Sequence, residues 1–348
     1  MAELVSPVTP ISPAGPGPAP RVPLRDTMAR YGVRLALVTL VAVAAATGIL
    51  VWDNPAAPGS SGYWTIVRSR LSSVGTILVV AFCHGVATVA FHSVTNNRIL
   101  TPSILGFDAL YRVVQTALVF FLGAGSLAAT DGIAKVVLQS VLMVGFATLL
   151  YGWLFTGRRA DLHLLLLVGV VLGMGFGSLS TFMQRMLTPS EFDILSARLF
   201  GSISTSSAEY LPWGAAVCVV VGTLLWRRRH VLDVVALGRE TATSLGVRHQ
   251  REVLLTLLLV AVLVSVSTSL VGPMTFFGFV AALLTYQVVG TSRHALTLPM
   301  VVALASAMLL LAYFVLRHVF YAGGLVTVVI ELGGGLVFLF YLLRKGLR

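Results

Sequence analysis

Apolar runs long enough to cross a membrane dominate this chain. A spanning helix needs about 20 mostly apolar residues to cross roughly 30 Å of hydrocarbon. Ten segments meet or approach that length: 34–52, 73–93, 104–124, 135–154, 163–183, 212–227, 253–271, 274–290, 296–316 and 325–343. Hydrocarbon cannot hydrogen-bond a free backbone, so runs of this kind are expected to form helices. The expected fold class is therefore an all-α integral membrane protein of about ten transmembrane helices. Composition agrees: 57% of residues are hydrophobic and 11% charged, against roughly a quarter charged in soluble domains. Spans seven and eight are separated only by a Gly272-Pro273 turn. The tenth follows Gly323-Gly324 and contains Gly333, Gly334 and Gly335, residues that permit close helix contact or a bend.

The remaining residues set topology. Seven of the fourteen prolines lie between Pro7 and Pro23, so residues 1–33 are expected to form a disordered, cytoplasmic, proline-rich tail with too little apolar surface to fold. The run that follows is read as a retained first span rather than a cleaved signal. The net charge of +11 is almost wholly arginine, Lys135 and Lys345 being the only lysines. These charges are strung between apolar runs, which argues for topology over nucleic-acid binding. With the N-terminus inside, seventeen basic residues face the cytoplasm and six the outside. That bias predicts an even number of spans and both termini cytoplasmic, in the plasma membrane of a bacterium. Cys83 and Cys218 fall within apolar spans without metal-type spacing and read as small core residues. His84, His92 and His163 likewise show no repeated ligand spacing, and no metal site is expected.

The main polar interruption is Arg227–Arg251, RRRHVLDVVALGRETATSLGVRHQR. It cannot sit in hydrocarbon, so it reads as a cytoplasmic loop facing a soluble partner. Within it, LGRETATSLG (237–246) resembles the coupling segment LGxExAxSLG of the FecCD-type ABC importer permeases, which carry iron-siderophores and cobalamin. Two further segments carry the same resemblance. TNNRILTPSILG (95–106) is similar to the family's turn between spans two and three, and VGPMTFFGFV (271–280) to its xGPIxFVGLV. Arg293-His294 and Leu298-Pro299 then resemble the DHRxLLP continuation. The chain departs from the family at Ala281-Ala282, where Pro-His is usual, and at Asn97–Leu100. NRILTPSILGFDALY looks closest to the catecholate-siderophore branch.

The resemblance implies type II ABC importer architecture and a domain spanning 34–348. It implies a permease subunit moving iron-siderophore complexes, with cobalamin or haem as alternative cargo. Its partners would be a second permease subunit, identical or related, an ABC ATPase and an extracytoplasmic siderophore-binding protein. The chain itself has no P-loop, since Lys135 precedes Val136 and Lys345 precedes Gly346 where Ser or Thr is required. No cofactor is expected on it, ATP and magnesium belonging to the partner ATPase, and no enzyme constellation is present. By resemblance, Leu237, Gly238, Glu240, Ala242, Leu245 and Gly246 form the ATPase coupling surface, with the three apolar side chains inserting into a cleft. Arg68, Arg70 and Arg317 would meet acidic residues of the binding protein, headgroup contact being the plainer alternative.

Charges inside spans are costly and therefore candidates for function. Asp108 and Arg112, four apart on the third span, read either as an inner-gate pair or as a structural ion pair. Glu331 reads either as a pathway residue or as a polar tie between helices. Met174, Ser178, Thr181 and Met183 in the glycine-rich fifth span are the candidate pathway lining. An ion-coupled secondary transporter using Asp108 or Glu331 is the alternative from another class, and it leaves the 227–251 loop without a role.

Overall fold

The computed structural model describes residues 24–123, 133–155, 162–199 and 210–320, together with 125, 203, 329, 330, 332–336, 339, 340 and 343. Every regular element among them is helical. Helix α1 spans Leu24–Val51, α2 Ser61–Thr95, α3 Phe107–Leu122, α4 Ile133–Phe155 and α5 Leu162–Arg185. Helix α6 spans Pro189–Leu199 and α7 Leu211–Arg227. Two short helices, α8 (Arg229–Val235) and α9 (Arg239–Ser244), precede α10 (His249–Val271), α11 (Phe277–Val289) and α12 (His294–His318).

Six of these helices are long and apolar enough to cross a membrane, while Leu211–Arg227 and Phe277–Val289 are apolar but shorter. The expected tenth span, 325–343, is helical at its described residues 329, 330, 332–336, 339, 340 and 343, and Glu331 lies outside the described residues. Helix α1 differs from expectation at its start. It begins at Leu24, directly after the last proline of the tail, and runs unbroken because no proline intervenes before Pro55. Residues 24–33 therefore belong to the helix and not to the tail, and 1–23 lie outside the described residues.

At 35 residues, α2 is about 52 Å long and forms the axis of the bundle. Ser60 caps its first turn by accepting from the Tyr63 amide at 3.2 Å, and Asn96 ends it in the left-handed conformation. Helices α1, α7, α10, α11 and α12 pack around it; α4 packs on α10, and α3 on α5. The core is continuous, built from Val80, Ala87, Phe91, Val260, Val264, Val301 and their neighbours.

Glycine decides two of these contacts. At Gly278 a Cβ would sit 2.2 Å from Thr88 Oγ1 and 3.1 Å from the His84 carbonyl, so α11 lies against α2 only because no side chain intervenes. Gly106 adopts φ +88° and packs on α5, where a Cβ on Gly169 would meet Leu105 Cα at 2.9 Å. Helix α11, with 13 residues, reaches only about 20 Å and is not the full span 274–290. The chain from Gly272 to Phe276 is unwound instead. Such backbone is tolerated at membrane depth where protein encloses it, and Gly272 and Met274 are buried. Helix α6 was unforeseen; Thr188 and Glu191 form a capping box around Pro189, and Leu195 packs on Val119 of α3.

Candidate functional site

The arginine-rich segment folds as two short helices joined by a tight turn. Gly238 takes φ +95° and Gly246 φ +83°, so glycine is needed where the chain enters and leaves α9. Between them Thr243 and Ser244 donate to the carbonyls of Arg239 and Glu240, closing the helix on itself. Glu240 lies in its exposed first turn. Leu237 and Leu245 are 59% and 61% exposed and form an apolar pair offered to solvent. Ala242 is not part of that pair. It is fully buried beneath its own segment, with its carbonyl accepting from the Val247 amide at 3.0 Å, so the expectation that it enters a partner's cleft is corrected.

A chain of polar contacts ties this segment to the bundle. Asp233 Oδ1, on α8, accepts from the backbone amide of His294 at 2.8 Å and from its ring Nδ1 at 2.6 Å. On the far side of the ring, His294 Nε2 lies 2.6 Å from Ser93 Oγ on α2. Ser93 also reaches the Val89 carbonyl at 2.9 Å. Partial burial opposes ionisation of Asp233, but the paired His294 donors prevail and hold its carboxyl below the usual carboxylate range. Nearby, Arg98 donates to Ser292 Oγ at 2.6 Å and lies over the Tyr286 ring, while Arg228 pairs with Glu252 at 3.1 Å. The sequence reading missed Asp233 and Ser93. Its only signal was the Arg293-His294 pair, noted as a motif without a partner.

At the opposite end the three expected docking arginines part company. Arg70 is buried, and its guanidinium donates to the carbonyls of Ile49 (3.1 Å), Trp52 (2.6 Å) and Asp53 (2.9 Å). It caps the C-terminus of α1, where carbonyls lack intrahelical partners, and is not free to meet a partner protein. Arg68 and Arg317 are exposed, and Arg317 donates to the Tyr313 hydroxyl at 2.8 Å.

The pathway candidates divide similarly. Met174, Ser178 and Thr181 line one open groove of about 550 Å³ on α5, together with Gly177, Phe182 and Arg185. Met183 is 5% exposed on the inner side of the same helix and does not join them. Asp108 is buried, and its Oδ2 accepts from Thr275 Oγ1 at 2.9 Å. Arg112 contacts the Asp108 backbone carbonyl. Asp108 thus ties α3 to the unwound segment after α10, while Glu331 lies outside the described residues. The sulfurs of Cys83 and Cys218 meet at 3.5 Å between α2 and α7, a proximity that spacing could not show. His84 packs edge-on against Phe277 and His92 bonds the Leu100 carbonyl; no cluster of three metal-ligating side chains occurs among the described residues.

The sequence profile of the FecCD transport family matches residues 32–345. The chain belongs to the FecCD transport family. Within this family it is 44% identical over 313 residues to the petrobactin import system permease protein FatC of Bacillus anthracis, covering 89% of this chain and 88% of that one. It is 34% identical to the petrobactin import system permease protein YclO of Bacillus subtilis (82% and 90%). It is 27% identical to the ferric enterobactin transport system permease protein FepG of Escherichia coli (81% of each). The fold is similar to a solved metal-chelate type ABC transporter in an inward-facing conformation, with TM-score 0.76 and 21% identity over 90% of this chain and 99% of that one. This FecCD chain is a multi-pass membrane protein of a transport family.

Proposed function

We propose that this chain is the permease subunit of an ABC importer that carries a ferric siderophore of the petrobactin type across the cytoplasmic membrane. The observation that carries the reading is the 44% identity to a petrobactin import permease along nearly the whole of both chains. Two permeases, identical or related, enclose the pathway. A separate ATPase engages the α8–α9 segment, and an extracytoplasmic binding protein delivers the chelate at the opposite end. Both termini face the cytoplasm. Two exposed leucines beside Glu240, in a segment too polar to lie in hydrocarbon, support the ATPase contact. Arg68 and Arg317 are the exposed arginines that guide the binding protein. No chemistry on the cargo is assigned to this chain: ATP drives the change of access, and the groove around Met174, Ser178 and Thr181 lines the path.

The test is energised uptake of radiolabelled ferric petrobactin in cells producing this chain with its ATPase and binding protein, at matched membrane abundance. Wild type accumulates iron, and Glu240→Arg does not. Accumulation that persists in Glu240→Arg and survives loss of the ATPase would refute the ATP-driven mechanism.

A further inference from the structure

We propose that the Asp233–His294–Ser93 chain is a mechanical latch that delivers movement of the α8–α9 segment into α2 and α12, with His294 as a positioning residue for coupled transport. The inference rests on the permease reading above and adds a specific route for the drive. Three elements far apart in sequence meet at one buried imidazole, which is only 2% exposed. Helix α12 has no side-chain cap of its own. Asp233 supplies one from α8, accepting the His294 amide at 2.8 Å, where an anion also suits the positive end of the helix. A displacement of α8 therefore pulls on the first turn of α12 directly. Through Nε2 the same ring holds Ser93, near the end of the axial helix α2.

Apart from the latch and the Arg228–Glu252 pair at its start, α8 meets the bundle through apolar side chains. Leu232 and Val235 are buried against the core, and such contacts slide without a preferred register. A half-buried carboxylate bonded to a buried imidazole over short distances resists sliding. Both ring nitrogens are engaged, Nδ1 by the Asp233 carboxylate at 2.6 Å and Nε2 by Ser93 Oγ at 2.6 Å, so the ring is held from two sides. A cavity of about 430 Å³ adjoins the latch, bounded by Asn96, Arg98, Tyr286 and Arg293 as well as Asp233 and His294. It leaves these groups room to move together without repacking the core.

The experiment uses the complete importer, with ATPase and binding protein, in proteoliposomes, and reads ferric petrobactin transported per ATP hydrolysed. His294→Gln and Asp233→Asn are expected to lower that ratio about tenfold, a typical size for coupling between sites, while ATP hydrolysis and assembly persist. The double variant is expected to be no worse than either single one, because both break the same link. Ser93→Ala, which removes only the Nε2 partner, is the milder variant should the others fail to assemble, and it too should lower the ratio. An unchanged ratio in assembled variants overturns the latch alone. Transport and hydrolysis falling in proportion, with the ratio intact, also overturns it and leaves His294 a stability residue. A wild-type complex that hydrolyses ATP without transporting siderophore refutes the permease reading itself.

Discussion

Replacing Arg70 with methionine separates a structural role from a docking role. The guanidinium serves three carbonyls at the end of α1 within 3.1 Å. Ile49 is fully buried, so its carbonyl can find no water when the donor is removed. Trp52 and Asp53 are exposed, and water replaces much of what they lose. A hydrogen bond from a charged donor is worth about 1.5–3 kcal/mol, and an orphaned buried acceptor costs about 1–3 kcal/mol. Relief from burying a charge offsets part of this, which leaves an expected loss of about 2–3 kcal/mol. Lysine, with one compact ammonium, should recover only part of it. The assay is thermal unfolding of the purified protein in detergent, paired with its affinity for the binding protein at a temperature where both forms are folded. Arg70→Met should melt several degrees lower and bind the partner as wild type does. Arg68→Glu and Arg317→Glu should do the reverse. If Arg70→Met kept its melting temperature and lost affinity, the cap assignment would be wrong.

Gly278→Ala should destabilise by about 1–2 kcal/mol, the overpacking cost outweighing better helix propensity. Adding Thr88→Ala should recover part of that in the same melt, because it clears the 2.2 Å contact but not the 3.1 Å one to the His84 carbonyl. Leu237→Asp with Leu245→Asp should abolish co-purification of the ATPase without lowering the melting temperature of the isolated permease, whereas Ala242→Leu should lower it. Asp233 titrates below its ordinary value in the folded chain, so its contribution to stability is complete above the usual aspartate pKa and is lost as pH falls through the depressed value. The stability gap between wild type and Asp233→Asn should therefore hold from neutral pH to about pH 5 and close in stronger acid; a gap that widened on acidification would contradict the assignment.

Hydropathy made the helices legible because hydrocarbon demands length and apolarity and little else. It could not say which side of a span faces protein, since lipid-facing and core-facing residues are equally apolar. Spacing held part of that answer. Met174, Ser178 and Thr181 are four and three residues apart and share a face, whereas Met183 lies nine beyond Met174, about two and a half turns, and so points away. The capping box at Thr188–Glu191 was also readable and marks α6. Arg70 was not readable. Nothing in Arg-Ser-Arg distinguishes an arginine turned to solvent from one folded back on a helix end 17 to 21 residues earlier. Asp233 was hidden for the same reason, its partners lying 61 residues downstream and across the bundle.

The three motifs that carried the family resemblance are, in space, neighbours along two contact lines. At the arginine-rich end, Gly238 of the second motif lies against the Asn96 side chain of the first, a Cβ there coming within 3.5 Å of Nδ2. Arg98 of the first bonds Ser292, beside the His294 that holds Asp233. Deeper in the bundle, Asp108, just past the first motif, accepts from Thr275 of the third, and Gly278 of the third closes on Thr88. Three of these contacts involve irregular backbone and the fourth a close helix crossing, and each depends on a particular side chain or on having none. Ordinary apolar packing between α2 and α10 tolerates exchange of one aliphatic residue for another, so it leaves no recognisable string. Short motifs separated by more than a hundred residues therefore read as the two edges of shared joints. The joints at the arginine-rich end link helices α8 and α9 to the axis of the bundle, the route an ATP-driven displacement would take under the proposed function.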